Sequence, residues 1–196
     1  MKMLFADTET TGLNPMIHDI ISLSYIIVDG ENVHPTKTLI FRPFNMDTIE
    51  EKALQINGFT RQELVDAPLA YDVFFNFLIP DLECHMGSTK YFLNGFNTPF
   101  DQMFIRQLFQ RCYAVKYPNA DTSKYMDSFF QYKYYDTMQL CMAHDYATGC
   151  RWPNHKLITA AKFFGFAHDA HNSASDIKVT KKIWDLLIQG MKKSYV

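Results

Sequence analysis

Two short apolar runs constrain this chain more than any other feature. Met3-Leu4-Phe5-Ala6 and Tyr91-Phe92-Leu93 are unbroken hydrophobic stretches too short to be helices. Each ends in polar residues, Asp7-Thr8-Glu9-Thr10-Thr11-Gly12 in one case and Asn94-Gly95-Phe96-Asn97 in the other. Runs of that kind are central strands, buried on both faces. Asp19 to Asp29 is rich in Ile, Val and Tyr, and Asp29-Gly30 turns it toward Lys37–Arg42, which gives the chain a three-stranded antiparallel start. Helical spacing covers Asp47 to Gln55, then Arg61 to Leu82 with interruptions at Pro68 and Pro80. A further helix opens with Thr98 as N-cap and Pro99 as its first residue, and runs to about Cys112. Residues 113–135 hold eight aromatics and follow no clean period. Helices then occupy Thr137–Thr148, Leu157–Phe164 and Ala174–Met191. Strands first, then helices mixed with another strand, predict one α/β domain on a mixed sheet across residues 1–196.

Composition narrows the class. Apolar residues make up 47% and charged residues 20% of the chain, the balance of a soluble globular domain. No run approaches the roughly 18 apolar residues of a membrane span, and Met1–Phe5 leads straight into acidic residues, unlike a signal peptide. Cys84, Cys112, Cys141 and Cys150 lack CxxC spacing and read as reduced thiols, so the expected setting is the cytoplasm with no membrane association. The net charge of −2 argues against a tight, non-specific duplex binder. Lys178, Lys181, Lys182, Lys192 and Lys193 could attract an anion locally, although a solvated helix face is the plainer reading.

Four carboxylates stand out against this background. Asp7 and Glu9 lie two apart at a strand end, so both side chains point to one face. Two adjacent acids repel, and holding them partly buried implies a cation; a solvated acidic turn is the alternative. Asp101 fits a capping box with Thr98, yet it also heads the apolar stripe of Phe104, Ile105 and Leu108. Asp176 precedes Thr180, Ile183 and Leu187 on the buried stripe of the last helix, where a carboxylate needs a partner. His171 stands five residues before Asp176, and His168 is the competing histidine.

Together these segments resemble the histidine-containing (DEDDh, DnaQ-like) branch of the DEDD 3′→5′ exonucleases, which includes polymerase proofreading subunits. Asp7-Thr8-Glu9-Thr10-Thr11-Gly12-Leu13 is similar to the family's first motif, Asn97-Thr98-Pro99-Phe100-Asp101 to its second, and His171 to Asp176 to its third. Ile56-Asn57-Gly58-Phe59-Thr60, Asn154-His155-Lys156-Leu157 and Phe164-Gly165 resemble supporting segments. Phe96, where the family often has His, and Ser173, where it often has Ala, are departures.

The resemblance implies a ribonuclease-H-like fold with a mixed five-stranded sheet flanked by helices, and two divalent cations, Mg²⁺ or Mn²⁺. Asp7, Glu9 and Asp176 would hold the first ion, and Asp7 with Asp101 the second. His171 would accept the proton of the attacking water. Thr10, Thr11, Gly12 and Leu13 would hold the terminal nucleotide, with Asn97 and Phe100 opposite. The 113–135 aromatics could stack on unpaired bases, but packing is favoured over that role. The expected substrate is nucleic acid with a free 3′ end, DNA before RNA, cut to 5′-mononucleotides. A polymerase partner would be another chain. An RNA-trimming or oligonucleotide-degrading enzyme shares the same residues, and an inactive exonuclease-fold binding module is the reading from another class.

Overall fold

The computed structural model describes residues 1–193. β1 (Lys2–Thr10) pairs antiparallel with β2 (Ile20–Asp29) and parallel with β5 (Tyr91–Gly95), which makes it the central strand the apolar run predicts. β5 pairs parallel with β6 (Phe130–Asp136). β3 (Asn32–Val33) and β4 (Lys37–Ile40) both pair antiparallel with β2. The sheet is therefore mixed, with the order β3-β2-β1-β5-β6 and β4 beside β2. It has six strands where five were expected, because the chain after Gly30 forms a two-residue strand before β4.

Strand parity assigns the two faces. Leu4 and Ala6 of β1 and Leu23, Tyr25 and Ile27 of β2 point into the larger core. That core is closed by Phe74, Leu78 and Leu82, and by Phe104, Ile105, Leu108 and Phe109 of α5 (Thr98–Lys116). Met3, Phe5, Ile26 and Val28 point the other way, onto Ile177 and Trp184 of α8 (Ser173–Lys193), where the Phe5 and Trp184 rings meet edge to face at 6.2 Å. α6 (Thr137–Thr148) and α7 (Leu157–Phe163) pack on α8 through Cys141, Ala160, Ala161, Val179 and Ile183.

Several local expectations change for physical reasons. The helix expected from Asp47 begins as a 3₁₀ turn at Met46–Thr48, and α1 proper is Glu51–Asn57. α2 (Arg61–Asp66) opens with a Thr60–Glu63 capping box and stops before Pro68. Pro80 interrupts nothing: α3 (Ala70–Val73) passes through a π-helical turn, Phe74–Leu78, into α4 (Ile79–Met86). The widened turn lets the Ile79 N–H reach the Phe74 carbonyl, and Pro80 follows at the start of α4, where a missing N–H costs little.

The 113–135 segment ends in β6, a strand the sequence hid. Three residues of β6 between Phe130 and Tyr134 stand against the single Phe92 of β5, so the strand bulges and its alternation is lost. Most of the aromatics pack, as favoured: Phe129 and Phe130 are buried, and the Tyr113 and Tyr125 rings stack at 3.9 Å. Tyr132, on the bulge, is 78% exposed. All four cysteines are free. Among the described residues, no helix is long and apolar enough to cross a membrane.

Candidate active site

The parity that divides the core also builds the site. Asp7 and Glu9 continue the Met3, Phe5 face of β1, toward α8, and Thr8 continues the opposite face, toward α5. Asp176, in the first turn of α8, joins the two acids from above, and one oxygen from each of Asp7, Glu9 and Asp176 lies within 4.8 Å of the others. Asp101, in the first turn of α5 and 3% exposed, is held by Thr8. The Thr8 backbone N–H donates to Asp101 Oδ1 at 2.9 Å and its hydroxyl donates to the same atom at 2.8 Å. These bonds replace the capping box expected with Thr98. Thr98 is the first helical residue, not the cap, and its hydroxyl donates to the Tyr135 carbonyl at 2.7 Å.

The close approach of these elements has a backbone cause. A Cβ on Gly95 would lie 2.8 Å from the Ala6 carbonyl and 3.5 Å from Asp101 Oδ2, so β5 can run this near to β1 and α5 only without one. Asn97 supplies the turn into α5 with φ 70° and ψ 50°, a left-handed conformation that Asn tolerates. Its N–H donates to Asp136 Oδ1 at 3.1 Å, and its exposed side chain is not among those lining the pocket.

Burial and mutual repulsion act together on the acids. Asp7 is raised well above 3.8, first by burial and then by Asp101, Asp176 and Glu9. Burial, with Asp176 and Asp101, pushes Glu9 from 4.5 to about 8. Asp101 is pushed to about 7 by burial, although the Thr8 bonds pull it down. Asp176 is raised by burial against the opposing pull of His168. No Lys or Arg side chain among the described residues bonds these acids. Converging, partly desolvated carboxylates with no cationic side chain bonded to them suit a hard divalent cation.

A pocket of about 380 Å³ opens over the acids. Thr10, Gly12 and Leu13 form one lip, Phe96 and Phe100 the other, and Glu50, Lys52, Ala53, Ile56 and Asn57 of α1 and its entry close the third side. Leu13 is 77% exposed at the mouth. Thr11 does not line it. That residue is fully buried, and its Oγ1 accepts the Asp19 N–H at 2.9 Å, so it braces the loop rather than facing a ligand. Gly12 is required by packing, since a Cβ there would lie 2.5 Å from the His18 ring. The α1 wall was not legible beyond the Ile56-Asn57 segment; Asn57 Nδ2 donates to the Thr10 carbonyl at 3.2 Å and fixes the lip.

The two histidines divide. His171 is exposed, adopts φ 63°, and lines the pocket, while its backbone N–H donates to Asp176 Oδ2 at 3.3 Å. His168 turns inward, with Nε2 2.6 Å from Asp176 Oδ1 and a side chain only 5% exposed. The competing histidine thus belongs to the site as well, its ring lying directly against Asp176. Ser173 also has a purpose, because its hydroxyl meets those of Ser22 at 3.0 Å and Ser24 at 2.8 Å, pinning the start of α8 to β2.

Comparison with known proteins follows the same lines. No curated protein sequence is significantly similar to the chain. Among solved structures, Escherichia coli exonuclease I in complex with a dT13 oligonucleotide superposes with a TM-score of 0.70 at 21% identity, covering 99% of this chain and 43% of that one. The zinc-bound form of the E. coli exonuclease I–single-stranded DNA complex gives 0.70 at 21%, covering 98% and 41%. Exonuclease I from Methylocaldum szegediense gives 0.66 at 18%, covering 91% and 38%. The chain thus spans less than half the length of these proteins, and a likeness so distant speaks for the fold alone. The exonuclease profile of the RNase_T family reaches further, matching residues 4–184, and the chain belongs to that family.

Proposed function

We propose that the chain is a metal-dependent 3′→5′ exonuclease domain that hydrolyses the terminal phosphodiester of DNA, single-stranded or frayed, and releases 5′-mononucleotides. The observation that carries this reading is the meeting of Asp7, Glu9 and Asp176 oxygens within 4.8 Å, beside Asp101, at the floor of a pocket of nucleotide size. Asp7, Glu9 and Asp176 would hold one Mg²⁺ or Mn²⁺ ion, and Asp7 with Asp101 a second. Bound there, such ions supply charge neutralisation at the scissile phosphate and lower the pKa of water. His171 faces the pocket, and one of its ring nitrogens accepts the proton of the attacking water. Thr10, Gly12 and Leu13 receive the terminal nucleotide, Phe100 bounds it opposite, and the partly buried floor excludes bulk water. Asn97 sets the entry of α5, and Thr11 braces the loop.

DNA is favoured over RNA because solved structures of the same fold hold dT13 and single-stranded DNA. One related structure is a complex of exonuclease I with the SSB C-terminus; a polymerase chain remains the partner that the sequence resemblance suggests. The test is degradation of matched, 5′-labelled single-stranded DNA and RNA with Mg²⁺ or Mn²⁺. Stepwise shortening of the DNA, abolished by EDTA and blocked by a 3′-phosphate, is the expected result. Equal cutting of closed single-stranded circles, or full activity in excess EDTA, would overturn the reading.

A further inference from the structure

We infer that His168 is a positioning residue, set to orient the Asp176 carboxylate for cation binding, and that this role is separate from that of His171. The inference rests on the proposed metal-dependent reading of the site. His168 Nε2 lies 2.6 Å from Asp176 Oδ1 with its ring buried, and an ionised carboxylate can only accept, so Nε2 carries the donated proton. The other ring nitrogen, Nδ1, is buried without a hydrogen-bond partner, so the contact to Asp176 is the ring's only polar bond among the described residues. Oδ2 is fixed in turn by the His171 backbone N–H at 3.3 Å.

Both oxygens of Asp176 are thereby aimed, and each keeps a lone pair for an ion shared with Asp7 and Glu9. The loop itself is built to hold this geometry. The Asp169 N–H donates to Ser175 Oγ at 3.1 Å, folding the chain between the two histidines back onto the first turn of α8. His171 takes the left-handed conformation in the same loop and lines the pocket. Groups that orient a ligating carboxylate in this way typically change metal affinity by about 10–100-fold when removed.

The experiment is calorimetric titration of the full chain with Mn²⁺, without substrate, for the wild type, His168→Gln, His168→Met and His171→Ala. Gln and Met have similar lengths, but only Gln offers an N–H donor. His168→Met should bind Mn²⁺ about 10–100-fold more weakly, His168→Gln should recover most of that loss, and His171→Ala should bind like the wild type. Equal affinity of His168→Met and wild type, or equal weakening of the Gln and Met variants, overturns the inference. A wild type that binds no Mn²⁺ sinks the metal-dependent reading instead.

A second measurement needs no folded variant. In wild-type protein the His168 Nε2 proton should give a downfield, slowly exchanging NMR signal that persists when Mg²⁺ is added. Loss of that signal on Mg²⁺ binding would show that the bond belongs only to the metal-free site and would overturn the assignment.

Discussion

Glu9→Gln should make the metal-free protein more stable while disabling it. The Glu9 carboxyl titrates at about 8 in the folded chain against 4.5 in its ordinary state. The folded protein therefore binds more protons than the unfolded chain between those values, and its stability falls as pH rises through that window. At 1.36 kcal/mol per unit, keeping Glu9 charged near pH 7.5 costs the metal-free fold roughly 4 kcal/mol at most. Asp7, Asp101 and Asp176 are also raised and share that repulsion, so a single neutral amide should recover about 2 kcal/mol. Urea unfolding followed by Trp152 and Trp184 fluorescence, in excess EDTA, measures it. The gain should be full near pH 8 and vanish toward pH 4.5, where wild-type Glu9 is itself neutral. With Mn²⁺ added the order should reverse, since binding to the native state alone stabilises it by about 2.7 kcal/mol at 100 times Kd. A metal-free Glu9→Gln protein less stable than wild type near pH 8, or a difference independent of pH, would refute the view of these acids as a repulsive cluster awaiting a cation.

Four further substitutions probe other parts of the site. Asp7→Ala and Asp176→Asn should lose Mn²⁺ binding and turnover together, whereas His171→Ala should keep substrate and metal binding and lose about 10²–10⁴ in kcat, as read by single-turnover kinetics; equal kcat in His171→Ala and wild type would remove His171 from the chemistry. Arg111→Met should strip Asp19, 4% exposed, of its ion pair and release the carbonyls of Pro15, Met16 and His18 that the guanidinium also holds. The expected loss is about 3–5 kcal/mol in urea unfolding, with KM for DNA raised because the Leu13 loop loses its anchor, and a loss under about 1 kcal/mol would place that anchor elsewhere.

What the sequence made legible follows from periodicity. Asp7 and Glu9 share a face because strand side chains alternate, and Asp176 was marked by lying on a buried helical stripe. Asp101 was marked the same way, but its actual partner, Thr8, was not foreseen. A capping box is a local pattern, while the bond from Thr8 joins residues 93 positions apart and has no sequence signature. Thr11 illustrates the same limit: nothing in Thr10-Thr11-Gly12 distinguishes the threonine that lines the pocket from the one that braces the loop. β6 escaped because its bulge erases the alternation that identifies a strand. His168 escaped because linear spacing to Asp176 cannot report which way a loop turns, and the left-handed residue that turns it is His171 itself.

The same geometry explains why so much of the polar interior lies outside the pocket. Four raised carboxylates work against the fold whenever no cation is bound, so the elements that carry them need independent anchorage. α8 is tied to β2 by the Ser173, Ser22 and Ser24 hydroxyls, within three residues of Asp176. α5 is tied to β1 through Thr8, to β6 through Thr98, and to the loop after β1 through Arg111, so one helix couples Asp101 at its start to the pocket lip near its end. β1 is the shared member: its odd residues present acids to α8 while Thr8, between them, fixes α5 from the opposite face. A one-residue slip of β1 would point Asp7 and Glu9 into the α5 core and Thr8 toward α8. The Phe5 and Ala6 packing that forbids the slip thus also sets the carboxylate geometry, and the hydrophobic core determines the site as directly as the acids do.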